Sequence, residues 1–152
     1  MNHSKIRVAV TGLKGQVISG LIERAPIETE IIALGRPQIE LSIRDLVIRN
    51  LKNTGCDIII NAAAYTHVDK AESEPEIAMR VNGEGAKNVA LAAKALNIPL
   101  LHLSTDYIFN GILTRPYKED DRPCPVGAYG RSKLCGEQYI ASILSDYLIL
   151  RT

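Results

Sequence analysis

Tyr129 and Lys133 bracket the stretch Tyr129-Gly-Arg-Ser-Lys133, a spacing that sets two side chains on one face of a helix. A phenol beside an ammonium can protonate a carbonyl oxygen while hydride reaches the carbonyl carbon. Left alone, a phenol has a pKa of about 10. An ammonium about 5 Å away, at an effective dielectric of about 20, favours the phenolate by roughly 3 kcal/mol, or about two pKa units. The spacing therefore predicts a Tyr129 whose pKa is drawn toward the working range of a general acid. Tyr and Lys also meet at this interval on plain solvated helix faces, so the rest of the chain has to decide.

A second candidate is the glycine turn Thr11-Gly-Leu-Lys-Gly-Gln-Val-Ile18. It follows the first apolar run and precedes the first amphipathic stretch, where dinucleotide-binding folds set phosphates against backbone amides and a helix N-terminus. Gly12 and Gly15 permit the tight turn and the close approach of a pyrophosphate, with Gln16 and Val17 opening the helix. Ile18 stands where the usual fingerprint has a third small residue, so helix and strand must pack differently there. About 20 residues on, NAD-specific sites carry a carboxylate for the ribose 2′-hydroxyl. Here the chain reads Leu34-Gly-Arg36, and an arginine attracts the 2′-phosphate of NADP instead. The expected cofactor is NADPH, with NADH the alternative and a merely solvated Arg36 the plain one.

These residues need strands and helices to hold them. Apolar runs at Ile6–Thr11, Ile31–Leu34, Asp57–Asn61, Leu100–Ser104 and Tyr147–Leu150 read as strands. Between them, Gly15–Ala25, Ser42–Asn53, Ile77–Leu96 (opened by Pro75) and Tyr129–Leu144 read as helices, and Asn110–Pro125 as a long loop. Alternation of this kind predicts an α/β, Rossmann-type doubly wound parallel sheet with helices on both faces. The 152 residues fit a single domain. The last run reads as a buried strand with nothing after it to cover it, so the chain is expected to be truncated after a fifth strand.

Composition narrows the functional class. Hydrophobic residues make up 46%, charged residues 23%, and the net charge is +1, which excludes a strong field for nucleic acid. Cys56, Cys124 and Cys135 lack paired spacing, and His3, His67 and His102 are scattered, so no metal site is expected. Unpaired thiols, the absence of a signal-like N-terminus over Met1–Lys5 and the lack of a long apolar span predict a cytoplasmic protein without a membrane segment.

Five ordered motifs resemble the extended short-chain dehydrogenase/reductase family, in its branch of nucleotide-sugar ketone reductases. They are Gly12-Leu-Lys-Gly-Gln-Val17, Asn61-Ala-Ala-Ala-Tyr-Thr-His-Val-Asp-Lys-Ala-Glu72, Ser104-Thr-Asp-Tyr-Ile-Phe109 with Gly111, Pro116-Tyr-Lys-Glu119 and Tyr129-Gly-Arg-Ser-Lys-Leu-Cys-Gly-Glu137. The resemblance implies NADPH-dependent reduction of dTDP-4-dehydro-L-rhamnose to dTDP-L-rhamnose, with Thr105, Tyr129 and Lys133 as catalytic residues. It implies Ala62, Ala63 and Tyr65 along the cofactor, Lys133 on the nicotinamide ribose, and Asp106 and Tyr107 with Thr105 beside the sugar. Asn82 matches a helix asparagine that supports the lysine. Glu40 replaces a common aspartate, and Gly127 a common asparagine. In this family the sugar pocket comes largely from residues beyond position 152. Little turnover is therefore expected of the chain alone, and neither magnesium dependence nor a homodimer can be read from this portion. A non-catalytic NADP-binding module acting as a regulatory subunit is the alternative.

Overall fold

The computed structural model describes residues 5–152; the N-terminal reading, His3 included, lies outside them except for Lys5. Five parallel strands, β1 (Ile6–Thr11), β2 (Thr29–Leu34), β3 (Ile58–Asn61), β4 (Leu100–Ser104) and β5 (Tyr147–Arg151), lie in the order β2-β1-β3-β4-β5. Strand order reverses beside β1, so β1 and β3 diverge into crossovers on opposite sides and leave a crevice at their carboxyl ends. Thr11, Asn61 and His102 occupy one register row across β1, β3 and β4 at this edge.

Helices α1 (Gln16–Arg24) and α2 (Arg44–Thr54) connect the first three strands. On one face α1 covers β1 and β2 through Ile18 and Leu21, against Val8, Val10 and Ile31. The opposite face carries the larger core, in which Val47, Leu51, Val89 and Ile140 pack on Ala9, Ile59 and Leu100. Each large side chain fully buried there contributes about 1.5–3 kcal/mol.

The sequence pattern missed a short helix, α3 (Val68–Ser73), inside the Asn61–Glu72 motif. The long helix it did predict runs over 75–96 as α4 (Pro75–Ala78), a π-helical turn (Met79–Glu84) and α5 (Gly85–Leu96). Such turns are uncommon inside helices and recur at functional sites; this one carries Asn82.

β5 is an uncovered edge strand, as expected of an apolar run with no later element over it: Leu148 and Leu150 are 57% and 47% exposed, and α1 covers only the far side of that sheet face. The 110–125 loop, though irregular, is tied down: Arg115 grips Asp121 through two bonds of 2.8 and 2.7 Å, and Phe109 stacks on Tyr117 at 4.2 Å. No helix among the described residues is long and apolar enough to cross a membrane.

Candidate active site

The crevice at the switch point is a cleft of about 760 Å³. Gly12, Gly15, Gln16, Val17, Arg36, Ala62 and Ala63, the residues assigned to a cofactor from the sequence, all line it. Gly12 and Gly15 have φ of 119° and 131°, conformations that side chains with a Cβ rarely adopt, and both face open space. Gly15 is the N-cap of α1 and offers no side chain to the first amides of the helix. Those amides point their donors into the cleft and suit an anionic group. The donor set and the open cradle therefore fit a dinucleotide pyrophosphate.

Thr11 holds the floor. Its hydroxyl donates to Asn61 Oδ1 at 2.6 Å and accepts the amides of Ala62 and Ala63 at 3.1 Å each. Asn61 in turn offers its amide to His102 Nδ1 at 3.0 Å, which leaves the imidazole proton on Nε2, buried and without a partner. Burial, and secondarily the charge of Lys133, push His102 down to about 3, so the ring is neutral. Sequence reasoning overlooked Thr11 and Asn61 as a unit; polar residues closing two adjacent β-branched strands were the available signal.

Thr105, Tyr129 and Lys133 lie outside that cleft, farther along the carboxyl edge, at the end of β4 and on α6 (Ala128–Ile143). Thr105 caps the 3-10 turn Asp106–Ile108, accepting the Tyr107 amide at 3.2 Å and donating to Asp106 at 3.3 Å. The first turn of α6 is seated against that 3-10 turn because Gly130 has no Cβ; one there would collide with the Tyr107 carbonyl. Glu72 reaches over from α3 to accept the Ala128 amide at 2.6 Å, capping α6 from a distance. A Cβ at Gly127 would come within 2.8 Å of that carboxylate. These contacts set Tyr129 over the Thr105–Tyr107 turn, with Tyr107 packed edge-on against the Tyr129 ring at 5.7 Å.

The electrostatics differ from the sequence expectation. Burial raises the Tyr129 phenol above its ordinary value, opposed by the Thr105 hydrogen bond and reinforced by Tyr107 and Asp106. Lys133 does not act on it as predicted. Its ammonium turns inward, donating to the Leu103 carbonyl at 2.6 Å, and burial lowers it to about 8 against the upward pull of Glu137. Asn82 does not touch Lys133 either. It clamps Tyr65 by both backbone groups (2.8 and 3.0 Å) and donates to Ser132 at 2.9 Å, supporting the lysine one residue away on α6. Tyr65 lines a neighbouring cavity rather than the main cleft, and its hydroxyl bonds Glu74 at 2.8 Å. Asp106 and Tyr107 are exposed beside Thr105.

Fold and site define a Rossmann-type domain of the short-chain dehydrogenase/reductase class. Residues 6–152 match the family model described as RmlD substrate binding domain, and the chain belongs to that family. It is 48% identical over 147 residues to a dTDP-4-dehydrorhamnose reductase of Sinorhizobium fredii, covering 97% of this chain and 50% of the relative. A dTDP-4-dehydrorhamnose reductase of Burkholderia thailandensis is 40% identical over 147 residues, 97% of this chain and 49% of the relative. The chain thus spans about half the length of these curated relatives. Among solved structures, a Bacillus anthracis dTDP-4-dehydrorhamnose reductase in complex with NADP superposes with a TM-score of 0.93 at 36% identity, over 97% of this chain and 53% of that one.

Proposed function

We propose that this chain is the cofactor-binding half of an NADPH-dependent reductase that converts dTDP-4-dehydro-L-rhamnose to dTDP-L-rhamnose. The observation that carries this reading is a half-buried Tyr129, packed against the Thr105–Tyr107 turn at the carboxyl edge of the sheet next to an open dinucleotide cleft, in a chain whose relatives bear that name. The B. anthracis relative's NADP complex supports NADPH as the cofactor. Gly12, Gly15, Gln16, Val17, Ala62 and Ala63 would hold the dinucleotide, with Arg36 at the adenosine end and Lys133 at the nicotinamide ribose.

When bound, the cofactor supplies a hydride. Thr105 orients the sugar carbonyl by donating to its oxygen, which requires it to release Asp106. Tyr129 keeps its proton throughout the neutral range because burial raises its pKa, and gives it up only to the far more basic alkoxide oxygen. The carbonyl carbon gains hydride, its oxygen gains the phenolic proton, and water reprotonates the phenolate. Lys133, lowered to about 8, remains mostly charged at pH 7, and offsetting the negative charge that forms requires its ammonium to leave the Leu103 carbonyl.

The test is product formation. Incubated for hours with NADPH and the ketosugar, the chain should form dTDP-L-rhamnose slowly, detected by mass spectrometry. Tyr129→Phe should reduce the rate about 100-fold or more, the lower end of a general acid's contribution. Equal rates would remove Tyr129 from this role, and NADPH binding without any product would favour the non-catalytic alternative.

A further inference from the structure

A second cavity, of about 500 Å³, opens beside the dinucleotide cleft and shares Arg36, Glu40, Ala64, Thr66 and Val81 with it. Its own wall adds Arg80, from the π-helical turn. Two guanidiniums from elements distant in sequence thus converge on one hollow. Among the described residues neither forms a salt bridge, and both are exposed. The one carboxylate in the wall is Glu40, whose Oε1 accepts the Ser42 hydroxyl at 3.2 Å and the Ser42 amide at 3.5 Å.

Two cations against one carboxylate leave the hollow with a net charge of +1 (2 − 1). Like charges in a concavity repel until a dianion bridges them, and planar guanidiniums are suited to phosphate oxygens. The location restricts which phosphate. A dinucleotide with its pyrophosphate on α1 directs its adenosine ribose toward the end of β2, the side from which Arg36 comes.

We infer that this annex receives the 2′-phosphate of the adenosine ribose between Arg36 and Arg80, making Arg80 a determinant of NADPH over NADH. The inference rests on the NADPH reading above. NADH presents only a hydroxyl there, so Arg80 does nothing for it. Glu40, held by Ser42, offsets only one of the two guanidinium charges.

Isothermal titration calorimetry of the chain with NADPH and with NADH tests this, using wild type, Arg80→Ala and Arg80→Lys, each checked for fold by circular dichroism. Loss of one charged phosphate contact should weaken NADPH about tenfold in Arg80→Ala while NADH changes less than about twofold. Arg80→Lys, which keeps the charge without the fork, should fall between. Equal weakening of both cofactors, or no change in either, would overturn the role of Arg80 while leaving the NADPH reading intact. A wild-type chain that binds neither cofactor would instead overturn the NADPH reading, and this inference with it.

Discussion

Around β1 and β2 the carboxyl edge of the sheet is made of backbone and open space, whereas around β4 and α6 the same edge is filled with buried polar side chains. At the first region, Gly12 and Gly15 face nothing within 4 Å, and Leu13 to Val17 are exposed. At the second, Thr105, Ser132, Lys133 and Glu137 are each at most 5% exposed. A large anionic ligand is met by fixed amides with room in front of them, at little cost to folding. A proton donor needs its pKa set by surroundings, which requires desolvated groups that the fold must stabilise elsewhere. The first region should therefore tolerate substitution in stability and lose binding; the second should trade stability for chemistry.

The largest expected effect is at Glu137, whose buried carboxylate holds Arg151 at 2.8 and 3.1 Å. Removing one partner of a buried pair typically costs about 3 kcal/mol or more, so Glu137→Gln should lower the unfolding free energy by about that much in urea. Lys133 works in the opposite direction. Its pKa is depressed to about 8, so between pH 8 and 10.5 the unfolded chain binds a proton that the folded chain does not, and stability rises with pH across that window. At pH 7 the charge costs about 3 kcal/mol. Lys133→Met, which also forfeits the Leu103 bond, should stabilise the chain by about 2 kcal/mol at pH 7 and give no gain by pH 10.5.

His102 is depressed as well, from its ordinary 6.5 to about 3. Its contribution is fully present above pH 6.5 and is lost as pH falls toward 3, amounting to about 2 kcal/mol by pH 5. Urea titrations at pH 7 and pH 5 should show this loss in wild type, and His102→Gln should remove most of the difference. Least affected should be the open cleft: Arg36→Ala should alter stability by no more than about 0.5 kcal/mol, as expected of an exposed side chain without a structural partner.

The two regions also differed in how readily the sequence disclosed them. Strand runs, the glycine turn and the order of elements followed from period and punctuation, because β-branched runs and glycines act locally. The cofactor-lining residues predicted around Gly12–Val17, Arg36 and Ala62–Ala63 converge on one cleft for that reason. The electrostatics of Tyr129 did not follow. A spacing of four residues shows that two side chains share a helix face, but not that Lys133 turns inward to the Leu103 carbonyl, which depends on β4 lying beneath α6. Glu72 capping α6 from 56 residues away, and Asn82 joining Tyr65 to Ser132, are likewise tertiary facts invisible to periodicity.

The separation of a binding region from a proton-donating one is tested most directly by NADPH titration of three chains: wild type, Gly15→Val and Tyr129→Phe. Wild type should bind saturably at one site. Gly15→Val, forced into a backbone conformation suited to glycine and with its side chain projecting into the cradle, should lose about 100-fold in affinity, since strain of this kind costs about 1–3 kcal/mol before any lost contact. Tyr129→Phe should bind within about threefold of wild type, because an isosteric ring leaves the amides and the cleft unaltered. A wild-type chain that fails to bind, or equal losses in the two variants, would contradict the account.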